Sequence, residues 1–345
     1  MFDELQMAPP DPILGLTEAF KKDPNPGKIN LGVGVYIDES GKTPIFDTVK
    51  KAEALMLERE QSKSYLPMTG LPDFAAAVGE MVFGPSHEIL RSRRAATAQT
   101  PGGTAALRVA GDFLKKIRPG AKLWVSDPTW ANHLGVFTAA GFEIAKYPYY
   151  DAAGRSLDFA GMSAALAAVP PGDVVLLHGC CHNPTGVDPS PEQWAKIALL
   201  AAERKFLPLV DFAYQGFGDG LDEDAVGVRT LCAKVPELLI ASSFSKNFGL
   251  YNERVGGLTV VAASAPAVEK AMSHLKLAIR QNYSNPPSHG GSIVATIWKD
   301  AVLRTEWEKE LAVVRARIHE MRRLFAQTLK AKGVKRDFSF IVGQK

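Results

Sequence analysis

Cysteine is scarce, and its spacing does not suit a disulfide framework. The chain has three, of which Cys180 and Cys181 are adjacent and Cys232 is distant. An odd count with one adjacent pair points to a reducing compartment, so the cytoplasm is the expected location. A metal site is not expected either. Cys180, Cys181, His178 and His182 crowd one short stretch, and no second cysteine pair exists to complete a tetrahedral set. Long apolar runs are missing: no stretch approaches the roughly 18 uninterrupted apolar residues of a transmembrane helix. The N-terminal segment MFDELQMAPPDPILGL is acidic and interrupted by Pro9, Pro10 and Pro12. It lacks the basic start and apolar middle of a signal peptide, and its prolines argue against a helix at the very start. An excess of one charge is missing too. The 40 Lys and Arg stand against 37 Asp and Glu, a net +3, with no basic run interleaved with aromatics. Neither nucleic acid nor an anionic membrane is therefore expected as a partner.

What is present is a globular composition, 46% hydrophobic and 22% charged. A chain of 345 residues can bury a large core and form about two domains. Ile13–Phe20 reads as a short amphipathic helical stretch. Ile29–Tyr36 alternates like a strand, with Gly32 and Gly34 permitting close backbone approach. A helix is predicted from Thr43-Pro44 to about Glu60, then a loop over Ser64–Gly70, then a helix from about Pro72 to Val82. Short apolar runs follow at Ala121–Ser126, Val174–His178, Leu207–Asp211, Leu238–Ser243 and Val255–Val261, separated by helical stretches such as Pro191–Lys205. Near-continuous apolar strands between helices predict an α/β fold with a mostly parallel sheet covered by helices. Few residues separate the last two runs, which suits an antiparallel pair. A long charged amphipathic helix is predicted from about Asp300 to Lys332, and Asp337–Lys345 reads as strand.

In open parallel α/β sheets, ligands bind beyond the carboxyl ends of the strands. The residues that follow the predicted strands are therefore the candidate chemistry. They include Trp130, Asn183, Asp211, Tyr214, Ser243, Ser245 and Lys246: an aromatic plate, an amide, a carboxylate, a phenol, two hydroxyls and an amine. A Gly-rich turn, Thr100-Pro101-Gly102-Gly103-Thr104, runs into a helix reaching about Ile117. Such a helix start suits an anion, because its amides are free and its dipole is positive, although the same residues also serve plain capping. Asp211 taken alone is equally a helix cap. Trp130 and Tyr214 taken alone are equally packing aromatics. One cofactor would use the whole set. Pyridoxal phosphate has a phosphate, a pyridine nitrogen that needs a carboxylate, a phenolic oxygen that needs donors, and an aldehyde that needs a lysine.

Five blocks carry a resemblance. They are Gln99–Thr104 (QTPGGT), His178–Gly186 (HGCCHNPTG), Asp211–Phe217 (DFAYQGF), Ser242–Gly256 (SSFSKNFGLYNERVG) and Arg280–Pro287 (RQNYSNPP). In sequence and order they resemble the aspartate/aromatic aminotransferases, from about Pro12 to the last residue. The resemblance implies a large pyridoxal-phosphate domain over 43–315. It adds an arm and part of a small domain over 1–42, and a linking helix with an incomplete C-terminal part of the small domain over 316–345. It implies that Lys246 holds the cofactor as a Schiff base and moves the substrate proton, and that Asp211 pairs with the pyridine nitrogen. Tyr214 and Asn183 would hold the phenolic oxygen. Gly103, Thr104, Ser243, Ser245 and Arg254 would bind phosphate. Trp130 would stack on the ring, with His133 and His178 in support. Gly34, Trp130 and Asn183 would line the substrate.

The resemblance also implies a homodimer. Tyr65 would reach the neighbour's phosphate, and Arg280 would grip a substrate side-chain carboxylate in the neighbour's site; from chemistry alone Arg280 is equally an interface ion-pair residue. Family members continue for some tens of residues past the segment like Asp337–Ile341, with an arginine for the substrate α-carboxylate that no residue here matches. The expected reaction is L-aspartate plus 2-oxoglutarate giving oxaloacetate plus L-glutamate. Activity on aromatic amino acids is expected beside it, because Val35, Thr43, Thr104 and Asn285 look like the aspartate type while Ile37 is apolar. The alternatives are a mainly aromatic enzyme and a catalytically impaired cofactor-binding form.

Overall fold

The apolar runs become the inner strands of one sheet. The computed structural model describes residues 1–7, 14–30, 32 and 34–345. They fall into two units, Met1–Pro44 and Ile45–Lys345.

In the first unit, a single 3-10 turn at Phe2–Glu4 precedes helix α1 (Leu14–Lys22). Pro9, Pro10, Pro12 and Ile13 lie outside the described residues. The Lys28 amine closes the end of α1 by donating to the carbonyls of Phe20 and Asp23, both at 2.6 Å. The strand predicted at Ile29–Tyr36 is a correction: Leu31 and Val33 lie outside the described residues, and the rest form no ladder. Alternation alone makes a face. A strand also needs a partner, and the described residues of this unit contain no other strand.

The second unit opens with α2 (Asp47–Arg59), α3 (Pro72–Phe83) and α4 (Glu88–Arg91). Strand β1 (Ala95–Pro101) leads into α5 (Gly103–Ile117), followed by β2 (Leu123–Asp127), α6 (Ala131–Ala139) and β3 (Ile144–Pro148). A small ribbon of β4 (Tyr150–Asp151) and β5 (Ser156–Leu157) precedes α7 (Phe159–Ala167). Then come β6 (Val174–His178), α8 (Pro191–Arg204), β7 (Leu207–Phe212), α9 (Val226–Cys232), β8 (Leu238–Ser243) and β9 (Val255–Val261). Helices α10 (Ala265–Asn282), α11 (His289–Lys299) and α12 (Ala301–Ala331) complete it. Asp337–Lys345, predicted as strand, contains instead a 3-10 turn at Ser339–Gly343. Its backbone turns on itself, with Ile341 N–H donating to the Phe338 carbonyl, and its distant hydrogen bonds go to the Gly186 carbonyl and to side chains such as Arg155 rather than to a strand.

The sheet runs β1-β9-β8-β7-β6-β2-β3. Strands β3, β2, β6, β7 and β8 are parallel, whereas β9 is antiparallel to both β8 and β1. The fold is thus α/β with a mostly parallel sheet covered by helices. Local chemistry explains the helix starts. Ser190 closes a full capping box with Gln193 at α8, and Asp300 accepts from Val302 and Leu303 at the start of α12. Helix α5 buries Ala106, Leu107, Val109, Ala110, Phe113 and Leu114, and each large side chain contributes about 1.5–3 kcal/mol by leaving water.

Two strands were not legible. β1 reads AATAQTP, too polar for an apolar run, yet its centre is buried. The polarity is absorbed across the sheet, where the Thr97 and Thr259 hydroxyls share a 2.8 Å hydrogen bond. β3 reads IAKYP, and its buried Tyr147 donates to the Leu176 carbonyl at 2.8 Å.

Candidate active site

The parallel register puts the ends of β6, β7 and β8 side by side. His178 pairs with Asp211, and Asp211 pairs with Ala241. The chain just past these ends carries Asn183, Tyr214 and Lys246.

Lys246 lies in a turn between two buried aromatics, Phe244 and Phe248. Phe248 stacks on Trp307, with centroids 4.3 Å apart and planes 15° apart. The Trp307 indole N–H donates to the Asn247 carbonyl at 2.8 Å, so the turn is pinned just after the lysine. The Lys246 Nζ sits 4.7 Å from the centre of the Tyr214 ring. Burial pulls the amine below the ordinary lysine range; Arg254 adds to this and Asp211 opposes it.

Asp211 is nearly buried and shares a 2.8 Å hydrogen bond with His133 Nε2. Burial acts to raise its carboxyl. The His133 hydrogen bond and the neighbouring imidazoles and amine outweigh that, so the carboxyl is held below the usual carboxylate range. His133 Nδ1 bonds the Thr129 hydroxyl at 2.8 Å. A row of rings continues behind it. His133 and His178 lie 5.2 Å apart, His178 and His182 4.1 Å, and His182 stacks on Tyr149 at 3.7 Å. Burial drives His178 down to about 3 and His182 down to about 2, so both rings are neutral. His182 is held by Ser126 at 2.9 Å and Thr185 at 2.8 Å. Trp130 meets His133 edge-on at 5.1 Å.

Tyr214 is pushed up to about 12, first by burial and then by the Asp211 charge, while a hydrogen bond with Asn183 works the other way. Two carboxylates, half-buried Asp188 and buried Asp224, which the sequence did not signal, hold the loops of this pair. Asp188 accepts the amides of Cys181 and His182 at 2.7 and 2.8 Å. Asp224 accepts those of Gly216, Gly218 and Asp219 at 2.8–2.9 Å. No motif marks them, because their partners are backbone groups that only the folded loops present.

A second cluster forms where β1, β8 and β9 meet. Ser243 and Thr100 both pair with Gly256. The Ser243 and Ser245 hydroxyls lie 3.3 Å apart, and Arg254 Nη1 reaches Ser245 Oγ at 3.4 Å. Gly102 has φ +86° and caps α5 without any side-chain hydrogen bond. A Cβ on Gly102 would overlap the Arg254 guanidinium, and one on Gly103 would come within 2.9 Å of Ser243 Cβ. The amides of the first turn, with Thr104 among them, thus face two hydroxyls and a guanidinium. Tyr65 is 92% exposed in the loop before α3, and Arg280, in the last turn of α10, is exposed and bonds Ser284. Gly34 belongs to the first unit.

A half-buried amine over a phenol, a buried carboxylate and an anion-ready helix start make one set. The model of the class I and II aminotransferase family matches residues 26–345. The chain belongs to that family. Among relatives of this aminotransferase, the aspartate aminotransferase of Salmonella typhi is 57% identical, over 100% of this chain and 87% of its own length. The aromatic-amino-acid aminotransferase of Pseudomonas aeruginosa is 46% identical, over 100% of this chain and 86% of its own. The crystal structure of the aromatic-amino-acid aminotransferase from Burkholderia pseudomallei, covalently bound to pyridoxal phosphate, superposes with a TM-score of 0.97 at 46% identity. That match covers 100% of this chain and 86% of the other.

Proposed function

We propose that this pyridoxal-phosphate aminotransferase converts L-aspartate and 2-oxoglutarate to oxaloacetate and L-glutamate, with Lys246 carrying the cofactor. The observation that carries the proposal is the Lys246 amine, half-buried, lowered toward the neutral form, lying over the Tyr214 ring and within reach of the Asp211 charge. The residues fit the cofactor end to end. The α5 amides with Gly103, Thr104, Ser243, Ser245 and Arg254 suit its phosphate; Gly102 and Gly103 let Arg254 and Ser243 close on the turn, where a Cβ would obstruct them. Asp211 suits a protonated pyridine nitrogen, Tyr214 and Asn183 suit the phenolic oxygen, and Trp130 offers a ring face.

When bound, the cofactor supplies an aldehyde for amine attachment and a ring that accepts electrons from the substrate α-carbon. The protein supplies the rest. Lys246, in its neutral form, takes the α-proton at Nζ and returns it. Asp211 stays ionised because His133 satisfies it. The His178–His182–Tyr149 row keeps His133 packed from behind.

On the substrate side we place Arg280, Trp130 and Asn183. Arg280 and Tyr65 project outward, which supports a homodimer in which each serves the neighbour's site. Apolar Leu57 and Ile45, 85% and 57% exposed, give such an interface buried area. We assign 43–315 to the large cofactor domain, with 1–42 and 316–345 supplying the arm, the linking helix and small-domain parts. The break between Pro44 and Ile45 supports the first boundary. No helix among the described residues is long and apolar enough to cross a membrane. The three cysteines are free, which supports a cytoplasmic location.

Single-turnover spectra with aspartate, phenylalanine and tyrosine test the reading. Aspartate is expected to discharge the cofactor's visible absorbance fastest. Arg280→Ala is expected to weaken aspartate about 10- to 100-fold, by loss of a bidentate contact, and phenylalanine little. Equal losses remove Arg280 from the dicarboxylate role.

A further inference from the structure

Gln99 lies in β1, just upstream of the Gly102–Gly103 turn, and is 2% exposed. Its side chain is divided between two loops far apart in sequence. Oε1 accepts the Leu71 N–H at 3.1 Å, and Nε2 donates to the Pro287 carbonyl at 2.8 Å. Its backbone repeats the pattern: the Gln99 N–H donates to the Thr69 carbonyl at 2.9 Å, and its carbonyl accepts from the Tyr283 hydroxyl at 3.4 Å. The loop before α3 and the first turn of α11 make room for it. A Cβ on Gly70 or on Gly291 would overlap the Gln99 side chain, and Gly70 also has φ +79°. A dry site that presents one donor and one acceptor is satisfied by an amide, and not by a carboxylate or a hydrocarbon.

Each loop is joined to a residue of the proposed site. Tyr65 lies in the loop that ends at Leu71, and Arg280 ends the helix that runs into Tyr283–Pro287. We propose that Gln99 is a positioning residue that fixes Tyr65 and Arg280 against the strand bearing the phosphate turn. The inference rests on the reading of Tyr65 and Arg280 given above. Through Gln99, the residues a subunit lends to its neighbour and the turn it keeps are held by one side chain.

Gln99→Glu in the holoenzyme tests this. While protonated, the introduced carboxyl group reproduces the amide, with its carbonyl accepting from Leu71 and its O–H donating to Pro287. Once ionised, it sets a negative charge against the Pro287 carbonyl. Burial and that carbonyl both raise its pKa, so the variant is expected to match the parent at about pH 6 and depart from it by about pH 9. The departure expected is a rise of about tenfold in KM for the dicarboxylate, with kcat within about twofold of the parent. Hydrogen exchange is expected to quicken over 64–71 and 283–288 together. Gln99→Leu, of similar volume with neither pole, should show both effects at every pH. A Gln99→Glu profile parallel to the parent's, or quickening in one loop alone, overturns the proposal. Arg280→Ala measured alongside separates the two readings. If it spares aspartate, the role of Arg280 fails, whereas paired loosening still decides what Gln99 holds.

Discussion

At the Gly102–Gly103 end of the site, the anion-facing groups are backbone amides, two serine hydroxyls and an exposed guanidinium. At the Asp211 end, one carboxylate sits in a dry row of rings, with His133 fully buried and His178 nearly so. The first end meets a ligand that brings its own charge. Water can screen what the protein leaves unmatched there, so free amides and a solvent-facing Arg254 are tolerable. The second end must hold a charge without water. An unpaired buried charge is expensive, so its partner is fixed: His133 bonds both Asp211 and Thr129, while burial keeps His178 and His182 neutral. The comparison teaches that the outer end should fail by losing affinity and the inner end by losing chemistry or stability.

Lys246, which stands between the two ends, sets the upper limit. Lys246→Ala removes the proton-carrying amine and should slow the aspartate half-reaction about 10⁴-fold or more, read by single-turnover absorbance. Turnover near the parent's would discard the mechanism. Asp211→Asn comes next. It keeps the shape and deletes the charge, so kcat should fall about 10³-fold while the urea midpoint moves little. A variant that instead loses cofactor with kcat intact would blur the distinction between the two ends. Gly102→Ala attacks the outer end. Strain at φ +86° and overlap with Arg254 should weaken pyridoxal phosphate about 10- to 100-fold in equilibrium dialysis, with kcat at saturating cofactor nearly retained.

The smallest effect concerns pH. His178 and His182 stay neutral in the fold until about pH 3 and 2. In the unfolded chain ordinary imidazoles take up protons below about pH 6.5. Their contribution is therefore complete above that pH and is lost as pH falls, by up to about 3 kcal/mol per pH unit for the two rings. Chemical denaturation between about pH 7.5 and 5.5 measures it, and His182→Asn should flatten the slope. An unchanged slope would mean that the inner end does not depend on neutral rings.

Much of the site was legible because its signals are local. A strand end that carries Asp211, or is followed within five residues by Lys246 or Asn183, keeps sequence neighbours in spatial order, and parallel register aligns those ends. Gly102-Gly103-Thr104 could be read because a helix start is a matter of consecutive amides. The arm strand was misread because a ladder needs a partner that alternation does not supply. β1 was missed because the Thr97–Thr259 pair hides its polarity across the sheet.

By itself, the sequence determined the α/β class, the order of the chemistry and the cofactor that chemistry suits. Each depends on residues a few positions apart, where backbone geometry sets the distances. The tertiary structure alone decided that Tyr149, His182 and His178 stand in a row behind His133 and Asp211. It also decided that Asp188 and Asp224 hold the Asn183 and Tyr214 loops, and that one buried amide at Gln99 joins loops near 70 and 287. Those contacts join segments whose proximity is fixed by sheet order and packing, and no local pattern encodes that proximity.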